Sequence, residues 1–350
     1  MTQTTHYAQV LVKIGAERSK LLSELKLKTL TETKNLEEFT SQLRDTDYKE
    51  QLDKVFAPFT SRKIERTFHE NLITIVIEII QNSPKHAANY LKLYLYRFEA
   101  ENIKTLIKVT NAQLSFEQKI AKLYLSAEDY IKNRAAIEEA AKAQTMKQVI
   151  NSLKRSEYSL VLSIGMQSYD RDGSTTCLDV LLDKFFHEKI YSNYVNLPKK
   201  EKPFAHFYAS IENDGFTLLT LLRGKNLNYD ANWLRLAVPP NNFNIYSETV
   251  EEMVTAADFE SALKVAQECY YAGFFVRAQS AEETIANAEK AFKRALFQHA
   301  KKSIISENFN IGAPLAFLTQ KEAEVHNLTA ISSGVEAEIN IEEMQRKLLI

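Results

Sequence analysis

Nearly every segment of this chain carries the three-to-four-residue spacing of apolar positions that belongs to α-helices, and no run alternates as a half-buried strand does. Helices are expected at about 6–24, 36–44, 48–56, 61–81, 84–109, 115–133, 134–154, 156–169, 175–195, 203–224, 229–236, 247–253, 256–266, 282–307, 311–333 and 340–349. Start signals support these spans. Ser83 followed by Pro84 reads as an N-cap with proline at the first helical position. Ser115 with Gln118, and Asn340 with Glu343, have the spacing of a capping box. Thr33 or Asn35 opens one short helix, and Thr46 or Asp47 the next. Loops are expected at 168–174, 196–203 and 238–244; the last two combine Pro with Asn, and the middle one is also rich in Lys.

Within this helical pattern a motif occurs three times: an acid, two residues, Asn or Thr, then Ile or Leu, two residues, then Leu or Ile. The copies are Glu99-Asn102-Ile103-Leu106, Asp214-Thr217-Leu218-Leu221 and Glu324-Asn327-Leu328-Ile331. Asn102 and Thr217 are 115 residues apart, Thr217 and Asn327 110. Each copy sits late in a long predicted helix, where positions i, i+3 and i+7 share a face. Glu99, Asn102, Asp214, Thr217, Glu324 and Asn327 are therefore candidate site residues. The favoured role is structural, because polar groups inside a bundle must find hydrogen-bond partners. Three such units can surround a common axis and leave an opening for a shaft. The units expected are 1–114, 115–225 and 226–350.

Composition narrows the function. Lys and Arg total 44 against 45 Asp and Glu, so neither a nucleic acid nor a charged membrane surface is indicated as the main partner. Only 8 glycines occur, which disfavours hairpin-rich sheets and glycine-rich phosphate loops. No P-loop or dinucleotide fingerprint is present, the seven histidines form no His-Glu-x-x-His pair, and there is no Asp-Asp-x-x-Asp cluster. Asp170, Asp172, Gly173 and Ser174 lack the further acidic ligands of a calcium loop and read as a turn. No catalytic, cofactor or metal site is expected. Cys177 and Cys269 read as reduced, small apolar residues. The longest apolar stretch, 72–80, contains Glu78 and is far below the roughly 20 residues of a membrane span. Met1–His6 is polar, unlike the core of a signal peptide. A soluble chain that reaches membranes only through a partner is expected.

Several stretches, in order along the chain, resemble the C subunit of archaeal and bacterial A/V-type rotary ATPases, whose eukaryotic equivalent is the d subunit. They include 7–22, Leu36-Glu37-Glu38-Phe39, Leu221-Leu222-Arg223-Gly224-Lys225, Val238-Pro239-Pro240 and Ala256-Ala257-Asp258-Phe259-Glu260. The most specific runs from Phe309 through Pro314-Leu315-Ala316-Phe317-Leu318 to Lys321-Glu322-Ala323-Glu324-Val325-His326-Asn327-Leu328, before a closing Ile341-Glu342-Glu343 helix. Thr217 departs from the family's usual Asn. The resemblance implies an all-α funnel of three similar bundles. It implies a non-catalytic central-stalk protein, one copy per complex, that joins the rotor shaft (the D and F subunits) to the membrane proteolipid ring. The complex would transport protons or sodium, with this chain on the cytoplasmic side. The alternative is a helical scaffold unrelated to rotary motors.

Overall fold

The computed structural model describes residues 3–306 and 309–350. Among the described residues the regular structure is wholly helical: twenty α-helices and one 3-10 turn at Ala272–Phe274, with no strand. The chain forms two compact units. One combines the residues up to Leu91 with Arg294–Ile350; the other comprises Lys92–Lys293.

The first unit centres on Ser61–Gln81 and Gly312–Glu336, which form its most extensive helix pairing. Thr60 accepts from the Lys63 amide at 3.3 Å and starts the first of these helices. Ile64, Phe68, Leu72, Val76 and Ile79 then recur on one face and are buried. In the second unit, Thr176–Val195 packs between Leu93–Asn111 and Lys202–Asn226, and Ser159–Asp172 also lies along it. Short helices close a core that includes Ile103, Leu106, Val149, Leu153, Leu162 and Leu178.

Some expected helices are subdivided. Residues 6–24 contain the end of Gln3–Arg18 and the start of Glu24–Leu30, because Ser23 accepts from the Lys26 amide at 3.1 Å and begins a new helix. Residues 134–154 are two helices, Arg134–Ala141 and Met146–Ser152, since Thr145 and Gln148 build a capping box. Residues 115–133 likewise separate into Phe116–Ile120 and Leu125–Ile131. Ser83 is not an N-cap: its hydroxyl donates back to the Ile79 carbonyl at 2.7 Å. Asn35, not Thr33, caps Leu36–Ser41. Neither Thr46 nor Asp47 is the N-cap of Lys49–Leu52; that position is Tyr48, which makes no side-chain cap bond. The expected loop at 168–174 is mostly helix, which runs to Asp172 and ends at Gly173 with φ 69°.

The three motif-bearing helices, Leu93–Asn111, Lys202–Asn226 and Gly312–Glu336, end alike. Gln113, Asn228 and Glu338, each eleven residues after the motif Asn or Thr, are left-handed, with φ of 55°, 58° and 54°. Their amides donate to Thr110, Lys225 and Val335, and the next amides, of Leu114, Tyr229 and Ile339, donate to Val109, Gly224 and Gly334. These are paired Schellman bonds. Thirteen residues after the motif Asn or Thr, Ser115, Asp230 and Asn340 cap the following helix. Gln113 and Glu338 are exposed and carry a Cβ in a backbone region that favours glycine. Gln113→Gly and Glu338→Gly are each expected to raise stability, by roughly 0.5–1 kcal/mol after the extra unfolded-state entropy of glycine is counted. Denaturant unfolding checks this; an unchanged or lowered midpoint contradicts it.

Candidate functional site: three buried acid–tyrosine nodes

The six motif residues are buried, with at most 5% of any one exposed. Each acid accepts a hydrogen bond from a tyrosine hydroxyl. Glu99 Oε2 accepts from Tyr158 at 2.9 Å, Asp214 Oδ2 from Tyr271 at 2.9 Å, and Glu324 Oε1 from Tyr48 at 2.7 Å. Each tyrosine in turn meets a phenylalanine of a long helix: Tyr158–Phe185, Tyr271–Phe292 and Tyr48–Phe68, with ring centroids 5.0, 5.3 and 5.1 Å apart.

The remaining acceptor positions are filled differently in each node. Glu99 Oε1 accepts from Asn133 Nδ2 at 2.6 Å. Asp214 accepts from the backbone amides of Phe243 and Asn244 at 2.8 and 2.7 Å. Glu324 accepts from the Leu22 amide and from Lys321 Nζ, the latter at 2.8 Å. The Lys321 ammonium also sits 4.3 Å from the Tyr48 ring centroid. Burial, then the adjacent acid, pushes the hydroxyls of Tyr48, Tyr158 and Tyr271 above the ordinary phenol range. Burial also raises Glu99 and Asp214, against the hydrogen bonds they accept.

The motif amides clamp backbone. Asn102 accepts from the Tyr124 amide at 2.8 Å and donates to the Tyr124 carbonyl at 3.2 Å. Asn327 does the same with Leu349, at 2.7 and 3.0 Å. Tyr124 and Leu349 each lie twenty-two residues after their Asn. Thr217 is too short for such a clamp. Its hydroxyl lies 2.8 Å from Asn242 Oδ1, and Asn213, one turn earlier, donates to the Asn241 carbonyl at 2.9 Å. The missing amide is thus supplied by a neighbour on the same helix.

The motif side chains reach forward along the chain. Glu99 and Asn102 bond to residues between 124 and 158, beyond the expected unit limit at 114; Asp214 bonds to residues between 243 and 271, beyond the limit at 225. Glu324 and Asn327 bond to residues from both ends of the chain.

Sequence reasoning missed the three tyrosines and Asn213. A signal for the tyrosines was present. Tyr48, Tyr158 and Tyr271 each follow a helix N-cap, Asn35, Thr145 and Asp258, by thirteen residues. Two residues before each tyrosine, Thr46, Ser156 or Cys269 donates to the carbonyl three residues back, at or just past the end of the preceding short helix, and accepts from the tyrosine amide. Cys269 is therefore a turn residue and Cys177 a buried one; both are reduced thiols.

The nodes offer no open acid–base pair or nucleophile, and no cluster of three metal-ligating side chains occurs among the described residues. Their chemistry is that of fixed joints between helices. Comparison with known proteins gives the framework a family. The model for the ATP synthase (C/AC39) subunit matches residues 10–347. The chain belongs to the ATP synthase (C/AC39) subunit family. The C subunit of the A-type ATP synthase of Methanocaldococcus jannaschii is 28% identical over 348 residues, covering 98% of this chain and 86% of that protein. The Methanothermobacter thermautotrophicus protein of the same name is 25% identical, covering 91% and 81%. That of Thermococcus kodakarensis is also 25% identical, covering 96% and 89%. In this C/AC39 family member all three nodes lie inside the matched span.

Removing one node hydroxyl leaves a buried acid short of a donor. Tyr48→Phe and Tyr158→Phe are each expected to cost about 1–3 kcal/mol. Asn102→Leu and Asn327→Leu orphan two backbone groups each and fall in the same range, whereas Thr217→Val costs less because Asn213 keeps its own bond. Urea titration of each variant provides the measurement; no loss in the tyrosine or Asn variants would contradict a structural role.

Proposed function

We propose that this chain is a non-catalytic central-stalk component of a rotary A-type ATP synthase. In this reading one copy joins the D and F subunits of the shaft to the membrane proteolipid ring, on the cytoplasmic side, so that torque couples ATP chemistry to proton or sodium movement. The observation that carries the reading is the family match over residues 10–347, supported by relatives that are C subunits of A-type ATP synthases. The physical character of the chain agrees with a mechanical role. Its motif side chains are engaged in internal joints, and such joints stiffen a helical framework. No helix among the described residues is long and apolar enough to cross a membrane, so attachment to the ring would run through protein contacts.

The threefold repetition of node, Schellman end and N-cap supports three similar bundles, expected to form a funnel. The hydrogen bonds favour units that begin at the motif helices, near residues 92, 202 and 312. The unit beginning at 312 would then be completed by the N-terminal segment up to Leu91.

A tagged chain isolated from membranes in mild detergent is expected to bring the shaft proteins and the proteolipid ring with it, at one copy per complex by mass spectrometry of the intact assembly. Recovery of the chain alone, or with unrelated soluble proteins, would leave a helical scaffold and refute the coupling role. The purified chain is expected to hydrolyse no nucleotide.

A further inference from the structure

The node at Glu99 adjoins a group that its architecture does not require. Glu128, on the short helix Leu125–Ile131, is 0% exposed. Its Oε1 accepts from Asn102 Nδ2 at 2.7 Å, and its Oε2 is buried with no hydrogen-bond partner. The groups around it do not compensate a charge. From Leu93–Asn111 the buried Glu99 faces the same region, already holding Tyr158 and Asn133. On that helix Lys104 pairs with Glu101 and Asp183, and Lys108 with Asp179. From Arg134–Ala141, Arg134 pairs with Asp129 and Glu138. Lys189, the cation that acts on Glu99, pairs with Glu157. Among the described residues no cation pairs with Glu128. The second copy of the motif places Phe243 twenty-six residues after Thr217, the position that Glu128 holds after Asn102, so the repeated framework stands without this acid.

A carboxylate with one hydrogen bond, an empty second oxygen and acids for neighbours is costly to bury; the neutral acid is not. We propose that the Glu99–Asn102–Glu128 cluster is a proton-binding site, with Glu128 protonated in the folded chain at neutral pH and releasing that proton under mildly alkaline conditions. The inference rests on this geometry and not on the rotary function. Burial, with smaller contributions from Glu99 and Asp129 and against the Asn102 bond, raises Glu128 from 4.5 to about 8. The folded state therefore holds more protons than the unfolded state between these values. Its stability falls as pH rises through that window, and the loss is complete above it. The element that loosens is Leu125–Ile131, which Glu128 ties to Leu93–Asn111 through Asn102.

Infrared spectroscopy of the full chain in heavy water tests this directly. A protonated-carboxyl stretch is expected at about pH 7 and should fade towards about pH 9, with amide exchange in 125–131 rising by more than the general base-catalysed increase shared by the rest of the chain. Glu128→Gln should remove that part of the band and flatten the fall in Tm between about pH 5 and pH 8, by about one proton per chain. If Glu128→Gln does not fold, Glu128→Met fills similar space without titrating and is read the same way. A band that is missing in the wild type, or unchanged in the variant, overturns the proposal. So does a sodium-dependent rise in Tm near pH 8 without a protonated band, which would assign the cluster to a monovalent cation instead.

Discussion

The hydrogen bond from a buried tyrosine to a buried acid is the constraint on which the rest of the framework depends. An acid in the middle of a packed helix face is unfavourable unless donors reach it. In this chain the donor is a tyrosine on a turn, and the turn is set by a capped helix whose N-cap lies thirteen residues before the tyrosine. One bond therefore fixes three things together: the rotation of the motif helix, the path of the turn, and the phenylalanine-bearing helix against which the tyrosine ring rests. The Asn clamps on Tyr124 and Leu349 fix the chain a turn further along at two of the three motif copies. Side-chain packing alone tolerates several arrangements, whereas a satisfied polar joint tolerates few.

The joint at Glu324 has a particular consequence. Leu22 and Tyr48 come from the beginning of the chain, while Glu324, Asn327 and Leu349 come from its end. The first unit therefore requires contacts between residues separated by about three hundred positions. Closing loops of that length carries an entropic cost that grows slowly with length but delays folding. The extensive pairing of Ser61–Gln81 with Gly312–Glu336 offsets it. The second unit forms its two nodes from contacts no longer than fifty-nine residues.

Helical class and the positions of the three motifs were legible because both depend on short-range periodicity. The buried stripe of Glu99, Asn102 and Leu106 follows from helical geometry alone, and so do its two counterparts. Helix boundaries were less legible where two caps compete. Ser83 and Ser23 look alike in sequence, yet Ser83 bonds backward to Ile79 and Ser23 forward to Lys26. The tyrosines were overlooked because an aromatic residue in a turn says nothing about its distant partner. Only the equal spacing from Asn35, Thr145 and Asp258 distinguishes them from the other 13 tyrosines of the chain's 16. Thr217 illustrates the converse. It looked like a lapse in the motif, but Asn213 shows that the requirement is an amide near that depth of the helix, not at one register.

Repetition of the framework does not extend to its electrostatics. Lysine supports the node at Glu324, an asparagine side chain that at Glu99, and two backbone amides that at Asp214. The residue before each node tyrosine differs as well. Asp47 pairs with Lys20 at 3.1 Å and Glu157 with Lys189, whereas Tyr270 is 73% exposed. Buried joints must satisfy one geometric requirement, so similar solutions recur; the residues beside them meet no such requirement and diverge. Under the proposed function, this division matters mechanically. A chain that transmits torque requires stiff joints, and each motif copy has one, while the residues beside the joints are left to differ without loosening them.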